Sequence, residues 1–575
     1  MTLKSHPMAT FPISLGLVLL AAASCCGQVP DEDNLSRPLI VGHHGMVTSL
    51  NPLSSMAGVR ILMKGGNAMD AAIAAAVATT VVDPKDSTIG GQGFAMLYLA
   101  KEKAVRALNF YGTAPAAATP EALRGKNYTT GYLATPVPSN LKGYWELHRR
   151  YGVLPWADVL APGIELARDG FVLTEDFTGA LAVLKDRLNY DSSQRVFFPG
   201  GRMPQPGEIF RQPDLARTLQ EVADQGADVF YRGEIARKIA AFYREHGGIL
   251  TYEDLAAYQP KWVDPISSTY RGYTIFTQPP NSSGLALLLQ MNLLEGFDLP
   301  ALGHNSPRYL HLIGEVQRVA IADRNRFVAD PEFVSVPIQR LISKDYARER
   351  RKLISLDGTM GPVPPPEGAG RPDKEDTTHL CVVDDAGNMV SLTQTLGAWY
   401  GSGVVAADTG VLFSNQMRHL HIDGKSPSQV GPGRRPRSNQ SPLIVLKDGR
   451  PYLAIGTPGN DGIWQRMAQV LVNIFDFGMD VQRAVAAPRM IYGGFEETGT
   501  EIPPVFEIED RIDSSTREAL GRFGYRLRVI PSDEGSVNGI MRDSSGFLLG
   551  GADPRRWGLE GSWAGRAESV YAIGW

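Results

Sequence analysis

Apolar residues recur at helical spacing through Pro52–Val82, and the run is interrupted once, at Lys64-Gly65-Gly66-Asn67. Glycine stops the first helix, and Asn67 is placed to cap the second. Helical periodicity returns over residues 141–169, 212–246 and 306–354, with short alternating strands such as Tyr273–Thr277 between them. Residues 355–376 then read SLDGTMGPVPPPEGAGRPDKED, a linker-like stretch of Pro, Gly and charge. Beyond it the period shortens to two. Val382–Val390 predicts a hairpin turning at Asp385-Ala386-Gly387-Asn388. Leu443–Ile455 predicts another, turning at Lys447-Asp448-Gly449-Arg450, where Asp-Gly is a favoured turn pair. Strands are expected at Tyr525–Ile530 and Ser536–Met541. A helix-dominated part with some strands thus meets a strand-rich part near residue 376, and no internal repeat is present.

Composition narrows the function classes. A chain of 575 residues can bury a large core, and a net charge of −4 without a basic block implies no nucleic-acid partner. The N-terminus differs from the rest. Lys4 and His6 precede the apolar run Phe11–Ala23, which is too short to span a bilayer, and Ala22-Ala23-Ser24 follows. Residues 1–24 are read as a secretory signal. Cys25 is a candidate lipid-bearing cysteine, the only route to a membrane, and 25–40 is a polar leader. The expected location is therefore outside the cytoplasm, either periplasmic or as a membrane-anchored lipoprotein of a bacterium. Cys381, on a predicted strand, reads as a packed core residue, so no internal disulfide framework is expected.

The joint between the two parts carries the candidate chemistry: Asp376-Thr377-Thr378-His379-Leu380. Cutting before Thr377 would leave one residue holding both a hydroxyl and a free α-amine, a known way to activate a weak nucleophile. That amine has an unperturbed pKa of about 7.7–8.0, so part of it is an uncharged base near neutral pH. Threonines are common in strands, so the pair alone is weak evidence. Ile89-Gly90-Gly91-Gln92-Gly93-Phe94 is a glycine-rich turn into a strand and lacks the lysine of a phosphate loop. His379 reads as structural. His419 and His421 are spaced for one face of a strand, but two ligands without a third do not make a metal site, and no metal or other cofactor is expected. The acidic residues of 506–513 read as a solvated loop face.

Many segments in one order resemble the γ-glutamyltranspeptidase family of N-terminal-nucleophile hydrolases. They include GMVTSLNPLSSMAGVRILMKGGNAMDAAIAAA, IGGQGF, FYRGEIARKIAAFYREHGGILTYEDLAAY, DPISSTYRGYTIFTQPPNSSG, DTTHLCVVDDAGNMVSLTQTL, GPGRRPRSNQSP, GTPGNDG and GGADPRR. The resemblance covers about residues 45–560. It implies an α+β fold, the four-layer αββα sandwich, and a proenzyme that cuts itself between Asp376 and Thr377. Residues 41–376 would form a large subunit and 377–575 a small one. It further implies that Thr377 is the nucleophile, that Thr395 hydrogen-bonds it, and that the backbone N–H groups of Gly459 and Asn460 form the oxyanion hole. By itself, Thr395 reads as a plain strand threonine.

The implied substrate pocket departs from the family. Gln416 and Ser438 are retained, while Asn439 replaces the second serine of a pair. Tyr111 stands where the family has an arginine for the α-carboxylate, Gly397 where it has an asparagine, and His419 where it has an aspartate for the α-ammonium. Arg418, Arg434, Arg435 and Arg437 remain close in sequence and either receive a carboxylate, with Arg437 the candidate, or form a salt-bridged face. The resemblance implies a small-molecule amide as substrate, with water or an amine as acceptor and the two subunits as mutual partners. The default reading is cleavage of γ-glutamyl amides such as glutathione. The alternative within the family is an acylase for a glutaryl-like or other acyl amide lacking the α-amino group, which the altered pocket suits. From a different class, a non-catalytic binding protein on this fold, or a solute-binding lipoprotein, is the competing reading.

Overall fold

Asn67 forms the cap that its position predicts. Its side chain accepts from the backbone N–H groups of Met69 and Asp70, and Asp70 accepts in return from the Asn67 N–H. This capping box starts helix Ala68–Val82, separated by two glycines from helix Pro52–Met63. Every residue of Ala68–Val82 is buried, because its alanines let the backbone lie close to its neighbours on all sides. The computed structural model describes residues 37–360, 375–494, 505–533, 535–555 and 570–575. The predicted export signal, Cys25 and most of the polar leader lie outside the described residues, as does most of the linker before residue 375.

Two seven-stranded antiparallel sheets form the centre. The first runs Tyr571–Gly574, Met46–Ser49, Glu375–Val383, Met389–Ala398, Gln92–Leu99, Ala104–Phe110, Lys261–Val263. The second runs Ile40–Gly42, Leu548–Ala552, Asn538–Arg542, Arg450–Gly456, Leu443–Lys447, Tyr273–Thr277, Ile266–Tyr270. Three cores divide the molecule into four layers. One lies between the first sheet and an outer layer that includes Pro52–Met63, Ala68–Val82 and Trp156–Asp169. A second lies between the sheets, where Met96, Cys381 and Met389 meet Ile444, Ala454 and Ile540. The third packs the second sheet against Gly284–Leu294, Pro307–Phe327 and Ile463–Phe475. This is the expected αββα sandwich. Sheets covered on both faces explain why strand Met389–Ala398 is buried at every position.

The predicted hairpins close where expected, between Val383 and Met389 and at Lys447-Asp448-Gly449-Arg450. The three long helical stretches are each divided. Residues 141–169 break at Gly152–Pro155, and Lys344–Arg351 is separated from Pro307–Phe327 by a loop and a short turn of helix. The change in texture near residue 376 is not a boundary between separately folded bodies. Each sheet draws strands from both sides of it, and Arg37–Trp575 forms one unit.

The acidic stretch 506–513 is a correction. Glu507 and Glu509 are buried on strand Val505–Glu509, and Glu509 pairs with Arg555 at 2.6 Å and with Arg511. Arg511, two residues on, and Arg555, 46 residues on, neutralise it together, and the distant partner left no sign in the local composition.

Asn67→Ala should lower the thermal unfolding midpoint by an amount equivalent to about 1 kcal/mol, while Asn67→Ser retains most of the stability. Calorimetry of both variants checks this, and equal losses would show that the cap is not what Asn67 contributes.

Candidate active site

Thr377 sits where the ladder between its strand and Met389–Ala398 is irregular. Asp376 pairs with Gly397 and Thr378 with Gln394, so the register shifts across Thr377. Such irregularities re-aim a side chain, and they are common beside active sites. His379 pairs with Thr393, and both point between the sheets, as their contact with each other and the approach of Gly456 to His379 show. Alternation turns Thr377 and Thr395 to the same side. Their hydroxyl oxygens are 3.4 Å apart, and both residues are buried. The Thr395 hydroxyl also accepts from the Gly397 N–H at 2.8 Å.

His379 is packed into the sandwich and does not serve as a base. Its Nδ1 lies 2.8 Å from the Thr393 hydroxyl and its Nε2 3.2 Å from Cys381 Sγ. Burial pushes the imidazole down to about 3, so it stays neutral at any working pH. Burial pushes the Cys381 thiol up, which makes it an inert core group.

The turn Asn460–Gly462 lies beside strand Glu375–Val383. Gly459 and Asn460 adopt left-handed backbone, at φ 103° and 55°. Asparagine tolerates that region better than other residues with a side chain. The turn is pinned from behind by Arg466, whose guanidinium donates to the Gly459 carbonyl and pairs with Asp533 at 2.6 Å. Asp533 lies 3.6 Å from Arg489, which pairs with Asp553, and Asp553 pairs with Arg555 at 2.9 Å. All five groups are buried. Burial raises the Asp533 carboxyl, but Arg466 and Arg489 outweigh it and hold the group below its usual range.

Around this centre the structure gathers the retained pocket residues. Gly397, at φ 101°, has no room for a side chain: a Cβ there would lie 2.4 Å from Asn415 Oδ1 and 3.1 Å from Gln416 Nε2. The Asn415 amide therefore fills the space over Gly397, accepting from the Ala398 N–H and donating to the Thr129 carbonyl. Ser438 and Asn439 reach the turn Asn460–Gly462 through Arg324. This buried guanidinium donates to Asn439 Oδ1, bonds Ser283 Oγ at 3.1 Å and pairs with Asp461 at 2.9 Å. Ser283 in turn donates to the Ser438 carbonyl at 2.7 Å. Tyr111 is buried and stacks on Phe94 with ring centroids 5.0 Å apart.

His419, three residues after Gln416, shares a tie with Arg437. Ser428 Oγ donates to the His419 carbonyl at 3.0 Å and accepts from the Arg437 N–H at 3.3 Å, which ties both to the loop between them. His419 ends a short turn of helix and His421 lies on the loop, so they do not share a strand face as their spacing suggested. Burial first, and Arg437 second, push His421 down to about 4. Arg435 pairs with Glu332 at 3.5 Å and Arg434 covers Phe333, so these two form part of a paired face. Asn415, Arg324 and the Arg466–Asp533 pair were not foreseen. Asn415 directly precedes Gln416, and Arg324 interrupts a buried helix face; both were visible as residues without a stated purpose.

A family model described as gamma-glutamyltranspeptidase matches residues 54–563. The chain is 34% identical to the glutathione hydrolase proenzyme of Escherichia coli K12 over 550 residues, covering 91% of this chain and 92% of that protein. It is 36% identical over 526 residues to the Acylase ACY 1 proenzyme of Pseudomonas sp. strain SE83, covering 89% and 92%. Among solved structures, cephalosporin acylase from Bacillus halodurans superposes with a TM-score of 0.84 at 32% identity, covering 97% of this chain and 99% of that one.

The depressed His379 imidazole makes a pH prediction with a definite sign. Below its ordinary pKa of about 6.5, the unfolded chain takes up a proton that the folded chain refuses until about pH 3. Stability from this group is full above about pH 6.5 and falls as pH drops toward 3. His379→Gln should flatten that decline by up to about 1.4 kcal/mol per pH unit. Denaturant midpoints between pH 7.5 and 4.5 measure it, and parallel curves for the two proteins would contradict it.

Proposed function

Because this chain belongs to the γ-glutamyltranspeptidase family, we propose that it is an autoprocessing amide hydrolase and acyltransferase. Its nucleophile is Thr377, and it accepts an acyl group without an α-amine at least as readily as a γ-glutamyl group. The observation that carries the first claim is the pair of hydroxyls of Thr377 and Thr395, 3.4 Å apart on the shared inner face of the first sheet.

In the precursor, Thr377 Oγ attacks the Asp376 carbonyl, and the acyl group moves from nitrogen to oxygen. Water then cleaves the ester, leaving a carboxylate on Asp376 and a free amine on Thr377. Residues 41–376 become the large subunit and 377–575 the small one. In turnover the amine takes the Thr377 hydroxyl proton as Oγ attacks the substrate amide carbonyl. The oxyanion lies against the N–H groups of Gly459 and Asn460; one such donor contributes about 2.7–4 kcal/mol in a related case. The leaving amine departs with the proton. Water or a second amine then takes the acyl group from Thr377 and restores the hydroxyl. Thr395 supports the nucleophile.

The relatives include both a glutathione hydrolase and an acylase at similar identity, so identity does not choose the acyl group. The pocket favours the second kind. Tyr111 stacks on Phe94 in place of an arginine, and His419 offers no anion for an ammonium. Gln416, Ser438 and Asn439 would hold the remaining polar groups of the acyl chain, with Arg437 at the loop beyond. We further propose export, through residues 1–24, to the bacterial periplasm or to a lipid anchor on Cys25. Among the described residues no helix is long and apolar enough to cross a membrane. A non-catalytic binding role is the weaker reading, since it gives no reason to keep Thr377, Thr395 and Gly459 together.

Purified protein should run as two fragments on a denaturing gel, and the smaller should begin Thr-Thr-His on N-terminal sequencing. Thr377→Ala should stay whole and inactive, and an uncut but active chain would overturn the mechanism. Thr395→Val, which preserves shape, should lower turnover by more than stability; equal losses would make it a plain strand residue.

The acyl preference has its own test. Glutaryl anilide should be hydrolysed at least as well as γ-glutamyl anilide, and His419→Asp should shift the ratio toward γ-glutamyl. A strong γ-glutamyl preference that His419→Asp leaves unchanged would restore the family's default substrate.

A further inference from the structure

Gln92 is fully buried, yet neither its amide oxygen nor its amide nitrogen has a hydrogen-bond partner among the described residues. Buried amides are normally paired, so this one calls for an explanation. Its position suggests one. Gln92 stands directly opposite Thr395 in the ladder between their strands, and such neighbours project to the same face of a sheet. Two residues on, Phe94 shares that face and stacks on Tyr111. Gly112, next to Tyr111, has no room for a side chain, because a Cβ there would lie 2.7 Å from Gln92 Oε1. The amide thus runs from beside the second threonine toward Tyr111–Gly112, the stretch from which the charged anchor for a carboxylate is missing. Beside Gly397, two residues beyond Thr395, Gln416 Oε1 is buried and lacks a partner as well. Strain does not explain this placement, since the strand pairs regularly on both sides of Gln92–Leu99.

We propose that Gln92 is a specificity-determining residue, whose amide N–H donates to a carboxylate at the far end of the acyl chain. The ligand class is a monoamide of a short dicarboxylic acid. This rests on the proposed amide hydrolysis and deepens it by naming the group that reads the acyl end. A neutral amide donor needs no balancing charge, which fits a pocket that has lost both its arginine and its aspartate. It would let the site hold a carboxylate without requiring an ammonium.

The test compares wild type with Gln92→Met, which keeps volume and removes the amide, on glutaryl anilide and butyryl anilide after processing is confirmed on a gel. Gln92→Met should lower kcat/KM for the glutaryl compound by about tenfold or more, and for the butyryl compound by less than about threefold. An equal change for both substrates, or no change for either, overturns the assignment. A second measurement needs no variant. Glutarate should inhibit the wild-type enzyme at about tenfold lower concentration than butyrate, and equal inhibition counts against Gln92. Should processed wild type hydrolyse neither anilide, the proposed amide hydrolysis fails with it; hydrolysis with an unchanged substrate ratio removes only the role of Gln92.

Discussion

Thr377 is held by the two ladders that flank its strand. Glu375–Val383 pairs with Met389–Ala398 on one side and, through Cys381–Val383, with Met46–Ser49 on the other. Loss of the peptide bond before Thr377 would leave the pairs from Thr378 onward, in both ladders, on the new chain. Thr377 could therefore become a chain end without becoming mobile, although ends ordinarily fray. The same interleaving recurs in the second sheet, where strands Tyr273–Thr277 and Leu443–Lys447 come from opposite sides of the cut. A cleaved product would thus remain one body, held by three continuous cores and no covalent link at residue 376.

A second constraint fixes the turn whose N–H groups are proposed to receive the oxyanion. The left-handed pair Gly459 and Asn460 is an unusual backbone state, and something must hold it. Arg466 does so from within a chain of buried guanidinium and carboxylate groups reaching Asp533, Arg489, Asp553, Arg555 and Glu509. Breaking one partner of such a set costs about 3–5 kcal/mol, because it leaves a buried charge uncompensated. Rigidity at the turn therefore derives from residues spread over the last hundred or so positions of the chain. Arg324 performs the corresponding service on the other wall, joining Asn439 to Asp461.

Local chemistry made much of this visible in the chain. Asn67 announced a cap, Asp448-Gly449 announced a hairpin, and the alternation after Thr377 announced a strand. Gly284–Leu294 and Ile463–Phe475 were not announced. The first is apolar on every side and buried throughout, so it offers no helical period to detect. The second begins directly after the turn Asn460–Gly462, where glycine and asparagine suggest only a loop. At the site, Thr377, Thr395, Gly459 and Asn460 were nameable only through many ordered likenesses, because a threonine in a strand has no distinctive local signature. Glu509 was misread for the opposite reason: its charge suggested solvent, and Arg555, the partner that buries it with Arg511, lies far away in the chain. The amide of Asn415 over Gly397 could be seen only once the strand end and the loop before Gln416 were brought together.

The central claim is that the acyl group passes through Thr377 Oγ. Mixing processed protein with glutaryl anilide, quenching in acid during turnover and weighing the intact fragments tests it most directly. The smaller fragment should gain the mass of one glutaryl group, and peptide mapping should place it on Thr377. Turnover with the acyl group on another residue, or with no acylated fragment under conditions where deacylation limits the rate, would contradict it.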